Sequence, residues 1–399
     1  MKKLFAALLC LCLALTGTAC GAPAKDMGSE LVTTSPDDLI MTSPSDPYHP
    51  ETLPQPMHAI SMVPVSVDTL ADDGTVIFSR SYQRIQLVLN GTDIESAIKA
   101  NLEKRMNNAL SGAAEIEGYA RDAYAGQDNW SPYFVDVRCT PTRIDQSVIS
   151  LFCNYSSHSG GNHPVLATES VTYDLSTGKV LKLSEILTEG YSGADLSTLI
   201  STVLAPNSDE LYYDYETILQ DIFSVNLNNI SNWYFSRTGL CFHFEPYEIA
   251  PYSSGTITAT LPYGELDGVL RPQYMPDTQL EATGSMYAEA FLDDDLERFT
   301  FLAEVELDPD GTEILLHTDD TVTDVRIEAG TWSSDGSRYI PMSTVFAADA
   351  VGLGNGILIT ADLSDEAPAL RLVYRSGDQE VSAFIIYAEE GDAILLAHG

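Results

Sequence analysis

The sequence predicts an α+β fold, a mixed helix and antiparallel-sheet domain followed by an all-β, sandwich-like domain. Three observations carry that expectation. Amphipathic helical periodicities fall between residues 92 and 225, interleaved with strand-like runs. After Pro272 helical patterns nearly vanish, and short β-runs recur between Asp-Gly, Gly-Asn-Gly, Ser-Asp-Gly and Ser-Gly-Asp turn signals. The 399 residues are 44% hydrophobic and 9% aromatic, too apolar for a disordered acidic chain and enough for sizeable cores.

The chain opens on Lys2 and Lys3 and the apolar run Leu4 to Leu15, followed by Thr16-Gly17-Thr18-Ala19-Cys20-Gly21. An apolar core of about a dozen residues is a secretory signal; roughly 20 are needed to span a bilayer. The small residues before Cys20 resemble a bacterial lipobox, with Gly17 where that motif usually has Leu. The resemblance implies a signal peptide over residues 1–19 and acylation of Cys20. The two or three acyl chains of such an anchor hold firmly to the membrane. Residues 20–58 are rich in Pro, Ser, Thr and Asp, with Ser35-Pro36, Ser43-Pro44, Asp46-Pro47 and His49-Pro50 opposing helix. They read as a disordered tether.

Folded structure is expected over residues 59–274. Val76 to Ser81 and Arg84 to Leu89 read as strands. Thr92-Asp93-Ile94-Glu95 has the form of a capping box, opening one long helix with Ile94, Ile98, Leu102, Met106, Leu110, Ala113 and Ile116 on its apolar face. Tyr133 to Cys139 and Val148 to Tyr155 read as a hairpin turning near residue 146. Leu166 to Asp174 and Val180 to Leu183 continue the sheet. Leu196, Leu199, Ile200, Val203 and Leu204 mark a second helix, and Thr217 to Val225 another. Trp233 to Glu245 reads as a hairpin turning at Arg237-Thr238-Gly239, and Gly255 to Leu261 as a further strand. Residues 275–297 read as a linker, and 298–399 as the β-sandwich-like domain. Asp308-Pro309-Asp310-Gly311 is oxygen-rich, but between two strands it reads as a hairpin turn before a calcium loop.

Charge narrows the partners. With 58 acidic against 20 basic residues the formal charge is −38, and no local basic stripe offsets it. Nucleic acid is therefore excluded as a partner, whereas cationic proteins are attracted. Of six cysteines, Cys10 and Cys12 leave with the signal and Cys20 is the lipid site, leaving Cys139, Cys153 and Cys241. A hairpin closing near residue 146 sets Cys139 opposite Cys153, either as a cross-strand disulfide or as buried thiols. No Cys/His zinc spacing and no dinucleotide or nucleophile signature occurs, so neither a metal nor a cofactor is expected.

Two blocks carry a family resemblance. The first runs Asn154-Tyr155-Ser156-Ser157-His158-Ser159-Gly160-Gly161-Asn162-His163-Pro164, then Tyr173-Asp174-Leu175-Ser176-Thr177-Gly178-Lys179 and Leu183-Ser184-Glu185-Ile186-Leu187. The second runs Phe242-His243-Phe244-Glu245-Pro246-Tyr247-Glu248-Ile249-Ala250-Pro251-Tyr252, with Leu261-Pro262-Tyr263 after it. In this order they resemble the extracytoplasmic domain shared by RsiV-type anti-sigma factors and PdaC-type peptidoglycan deacetylases. Asn162 stands where that family usually has Ala, and Pro164 where it has Gly. The resemblance covers a little over half the chain and leaves out the C-terminal β-region.

The resemblance implies an extracytoplasmic domain which, in the anti-sigma proteins, binds a muramidase. The chain opens directly on its signal, so an anti-sigma role is not expected. The deacetylase metal motif is imitated only by His158 and His163, five residues apart around Gly-Gly, which reads as a turn with Gly160 and Gly161 at positive φ. Candidate ligand contacts are Tyr155, His158, Gly160, Gly161 and His163 on one loop, and Tyr247, Glu248 and Tyr252 on another, where aromatic faces stand beside carboxylates. The bland reading of the second loop is a rigid connection whose tyrosines pack on the core. The expected function is a non-catalytic cell-surface lipoprotein that binds a cationic lysozyme-type hydrolase or a cell-wall glycan. The alternative is a peptidoglycan-modifying enzyme or its accessory subunit.

Overall fold

A computed structural model describes residues 58–89, 92–127, 129–276, 282–364, 366–388 and 393–398. The expected signal peptide, Cys20 and residues 21–57 of the expected tether lie outside the described residues, while His58, expected as the tether's last residue, is buried. The fold is α+β.

Strands β1 (Ala59–Leu70) and β2 (Val76–Val88) form an antiparallel hairpin in register from Ala59↔Val88 to Thr69↔Phe78. The long helix expected next is two helices, α1 (Thr92–Ala109) and α2 (Ala113–Ala123), interrupted at Leu110–Gly112. Beyond the break, Ala113 and Ala120 of α2 pack on Phe78, Val135 and Val137. The apolar periodicity continues through the break because both helices cover the same sheet. Glu95 Oε2 accepts the N–H of Leu89, one residue past the end of β2, at 2.9 Å.

The chain returns in β3 (Tyr133–Ile144), parallel to β2, so α1 and α2 are the crossover of a βαβ unit. β4 (Val148–His158), β5 (Val165–Asp174) and the two-residue β6 (Lys179–Val180) follow, antiparallel in turn. Cys139 and Cys153 are register partners across β3 and β4 and form a disulfide, while Cys241 is free and buried.

A second layer comes from α3 (Leu183–Ile186), α4 (Gly193–Leu204), α5 (Tyr215–Phe223) and the small sheet β7 (Trp233–Phe235), β8 (Gly239–Phe244) and β9 (Ile257–Pro262). Ser192 and Asp195 cap α4 reciprocally, satisfying donors that its first turn leaves open. Trp233, Phe235, Leu240, Phe242 and Phe244 share a core with Leu196, Ile200, Leu219 and Phe223. Arg143 of β3 pins this layer to the main sheet. It lies 4.9 Å from the Phe235 ring centroid and 5.2 Å from that of Tyr263, donates to Tyr263 Oη at 2.8 Å and Tyr274 O at 2.7 Å, and pairs with Asp145.

The C-terminal strands are β10 (Met286–Ala290), β11 (Thr300–Glu306) after the one-turn α6 (Asp295–Arg298), β12 (Thr312–Thr318), β13 (Val322–Trp332), β14 (Tyr339–Val351), β15 (Asn355–Ala361), β16 (Ala369–Ser376), β17 (Gln379–Ala388) and β18 (Ala393–His398). Asp308–Gly311 is a turn between β11 and β12, with Gly311 N–H bonded to Asp308 O at 3.0 Å. A four-stranded sheet, β10-β12-β15-β11, shares one core with β13, β14 and β16. The main sheet does not stop at the expected 275–297 linker. It runs β18-β17-β16-β13-β14-β1-β2-β3-β4-β5-β6 without interruption, because β1 pairs with β14 at Ala59↔Ala348 and Ser61↔Phe346. One eleven-stranded sheet therefore serves both regions.

Candidate functional site

The two expected loops meet beside β5. Beyond its pairing with β4, β5 pairs with β6 only at Tyr173 and Asp174, so its earlier main-chain groups lie on an open edge. Glu245, just past β8, caps that edge. Its Oε1 accepts from both the N–H and the Oγ1 of Thr168, each at 2.6 Å. Glu248 Oε2 in turn accepts from Glu245 N–H at 2.9 Å, and Glu248 N–H donates to Glu245 O at 3.0 Å. The two carboxylates are thus held on one turn.

His243, 3% exposed on β8, sits behind them. Its Nδ1 is 2.9 Å from Thr168 Oγ1 and its Nε2 2.9 Å from Ser170 Oγ. Burial pushes the imidazole down to about 4, so the ring is neutral at physiological pH. Ser170, His243, Thr168 and Glu245 form a continuous relay resembling a Ser-His-acid arrangement. The Ser170 hydroxyl, however, is buried against the main-chain carbonyls of Ser231 (2.9 Å) and Trp233 (2.7 Å). Ser170 as a whole is 7% exposed.

In front of His243 lies a cleft of about 340 Å³, bordered by Thr168, Glu169, Asn232, His243, Glu245 and Glu248. Burial raises the Glu248 carboxyl above its ordinary range, with the neighbouring Glu245 charge adding to the shift. Glu169 forms the far wall and is tied from behind by Arg105 and by Tyr155 Oη at 2.6 Å. Burial pushes the Tyr155 hydroxyl well up, so it acts as a donor to Glu169. The border carries three carboxylates and no Lys or Arg, with Ile222, Val225 and Ile230 forming an apolar part of it.

Beside the cleft, His163, Tyr252 and Tyr247 stack as a three-ring ladder. Ring centroids are 4.8 Å apart for His163 and Tyr252, and 5.6 Å for Tyr252 and Tyr247. Pro164 O fixes the first rung, lying 3.1 Å from His163 Nδ1 and 3.3 Å from Tyr252 Oη. Tyr247 is 64% exposed and has φ 73°. Left-handed backbone at a bulky residue is costly and is kept where surrounding structure imposes it. Here the Tyr247 N–H is bonded to Ala250 O at 3.0 Å, so the strained turn holds the ring outward. The expectation that these tyrosines pack on the core fails at Tyr247.

The first loop is split. His163 joins the ladder, Tyr155 belongs to the Glu169 wall, and His158 is held elsewhere, stacked on Phe134 at 5.9 Å and edge-on to Tyr133 at 5.8 Å. Positive φ occurs at Gly160 (96°) but not at Gly161. Gly160 also has no space for a Cβ, because the Tyr133 hydroxyl occupies it, whereas Gly161 has main-chain contact only at 3.7 Å. The histidines do not converge, and among the described residues no group of His, Cys, Asp and Glu is arranged to hold a metal. Thr168, Glu169 and Asn232 carried no sequence signal; packing of β5 against the small sheet brings Thr168 to His243, 75 positions away, where Asn232 Nδ2 donates to His243 O.

The chain is an α+β scaffold with a cleft bordered by carboxylates and flanked by exposed rings. Within it, residues 184–264 match a family model described as a protein of unknown function, DUF3298. His243, Glu245, Tyr247, Glu248 and Tyr252 fall inside that stretch. Two solved structures are similar: a DUF3298 family member from Bacteroides fragilis, with 16% identity, covering 54% of this chain and 94% of its own, at TM-score 0.38; and a DUF3298 family protein from Pseudomonas aeruginosa, with 16% identity, covering 55% and 96%, at TM-score 0.37. Among curated proteins none matches.

Proposed function

We propose that this protein is a non-catalytic binding module of the bacterial cell envelope, lipid-anchored outside the membrane through Cys20. Its ligand is a cationic protein of the lysozyme type, taken by the His163–Tyr252–Tyr247 ladder and the Glu245–Glu248 cleft. The observation that carries this reading is Tyr247, a ring held exposed on strained backbone beside carboxylates. Aromatic anchors next to unpaired acids suit a basic surface. The resemblance to the RsiV/PdaC-type domain supports it, as does the charge of −38. The Ser170 relay supports no hydrolytic role, since its hydroxyl is spent on carbonyls.

Titration calorimetry of the full chain with lysozyme tests this. Binding is expected at low salt and weakens at moderate salt as surface charges are screened. No heat at either salt overturns it.

A further inference from the structure

A second surface lies on the main sheet at its C-terminal end, on the side opposite the core shared with the four-stranded sheet. Gly330 on β13 leaves a gap, and the Tyr339 ring lies across it, 2.7 Å from where a Cβ would stand. The Tyr339 hydroxyl donates to Glu328 O at 3.0 Å and lies 3.2 Å from Ala369 O, so this ring has a structural reason. Phe384 packs edge-on against it at 5.2 Å. Trp332 does not share that reason. It stacks on Phe384 at 4.9 Å, tilted 38°, with 48% of its surface exposed. The strip of apolar surface continues outward through Ile386 (40% exposed) and its register partner Leu395 (47% exposed). Contiguous apolar surface of this kind marks a contact site.

Polar groups border the rings. Arg371 lies 4.6 Å over the Tyr339 ring and directs Nε (2.9 Å) and Nη2 (2.5 Å) to Glu328 Oε2. On β13 Arg326 pairs with Glu380 at 3.1 Å, while its Nε is buried without a hydrogen-bond partner. Arg326 and Arg371 cancel Glu328 and Glu380, so the face is locally neutral in a chain of charge −38. A cationic partner has no reason to choose it, and an anionic one meets the field of the whole protein.

We propose that this face binds an uncharged polysaccharide, one pyranose stacking its C–H face on the exposed ring of Trp332, which Phe384 backs. The amphipathic sugar matches the amphipathic surface: ring hydrogens meet the Trp332 ring, and hydroxyls at the sugar rim reach the polar groups bordering it, Arg371 and Glu328. The site is separate from the acidic cleft and does not depend on the proposed capture of a cationic protein.

Affinity electrophoresis of the full chain in gels containing glycol chitin or hydroxyethyl cellulose tests it, with sedimentation in parallel. Retardation by at least one polymer is expected. Trp332→Ala should raise the dissociation constant about tenfold or more, as loss of an aromatic anchor does, with the thermal midpoint little changed. Trp332→Tyr should recover most of the retardation. No retardation of the native chain, or equal retardation of Trp332→Ala, overturns the proposal. So does a dimer in sedimentation that Trp332→Ala abolishes, which would give the face to a second copy.

Discussion

His58 and Asp349, 291 residues apart, form a buried pair in which His58 N–H donates to Asp349 Oδ1 at 2.7 Å and His58 Nδ1 lies 3.1 Å from Oδ2. Asp349 N–H returns to His58 O at 3.0 Å, and Gln146 Nε2 donates to Oδ2 at 2.6 Å. A single carboxylate therefore joins the entry to β1, strand β14 and the β3–β4 turn, where the two halves of the main sheet meet.

Asp349→Ala should cost about 2–4 kcal/mol, because it leaves a buried main-chain donor and an imidazole without their acceptor. Urea denaturation followed by circular dichroism measures this. A loss below about 0.5 kcal/mol, the range of neutral surface changes, would show that the sheet junction does not depend on the pair.

Tyr247→Gly separates fold from function. Glycine adopts φ near 73° without steric cost, so stability should hold or rise by about 1 kcal/mol, while lysozyme binding falls about tenfold or more. Calorimetry beside thermal melts reads both. Unchanged binding would remove Tyr247 from the ligand face.

His243 sets an acid limit. Its folded pKa, lowered to about 4 by burial, lies below the unfolded value of 6.5, so the unfolded chain binds the extra proton first. The contribution is complete above pH 6.5 and is lost as pH falls toward 4, at most about 3 kcal/mol over that window. Denaturant midpoints measured from pH 7 to pH 4 should fall for the native chain and fall less for His243→Gln. Parallel curves would assign the acid sensitivity to other groups.

Much of the scaffold was legible because its signals are local. The β3–β4 hairpin, with Cys139 facing Cys153, follows from alternation around one turn, and α4 and the β7–β8 turn at Arg237–Gly239 follow in the same way. The break at Leu110–Gly112 was not legible, since two successive helices covering one sheet keep the apolar spacing of a single one. Half of the candidate site was legible as well. Tyr247, Glu248 and Tyr252 stand together in sequence, but their meeting with His163 and Thr168 does not follow from spacing.

The sequence by itself determined most of the helix and strand content, the facing of Cys139 and Cys153, the acidic charge and the loops that carry rings and carboxylates. Each of these depends on residue type and short-range periodicity. The tertiary structure alone decided that β1 would pair with β14, making one sheet of two expected domains. It alone set Glu245 against Thr168, and the Tyr247 ring on a strained turn facing outward. Such contacts depend on which edges and faces remain unsatisfied after the local elements form, a competition among distant residues that no spacing along the chain records.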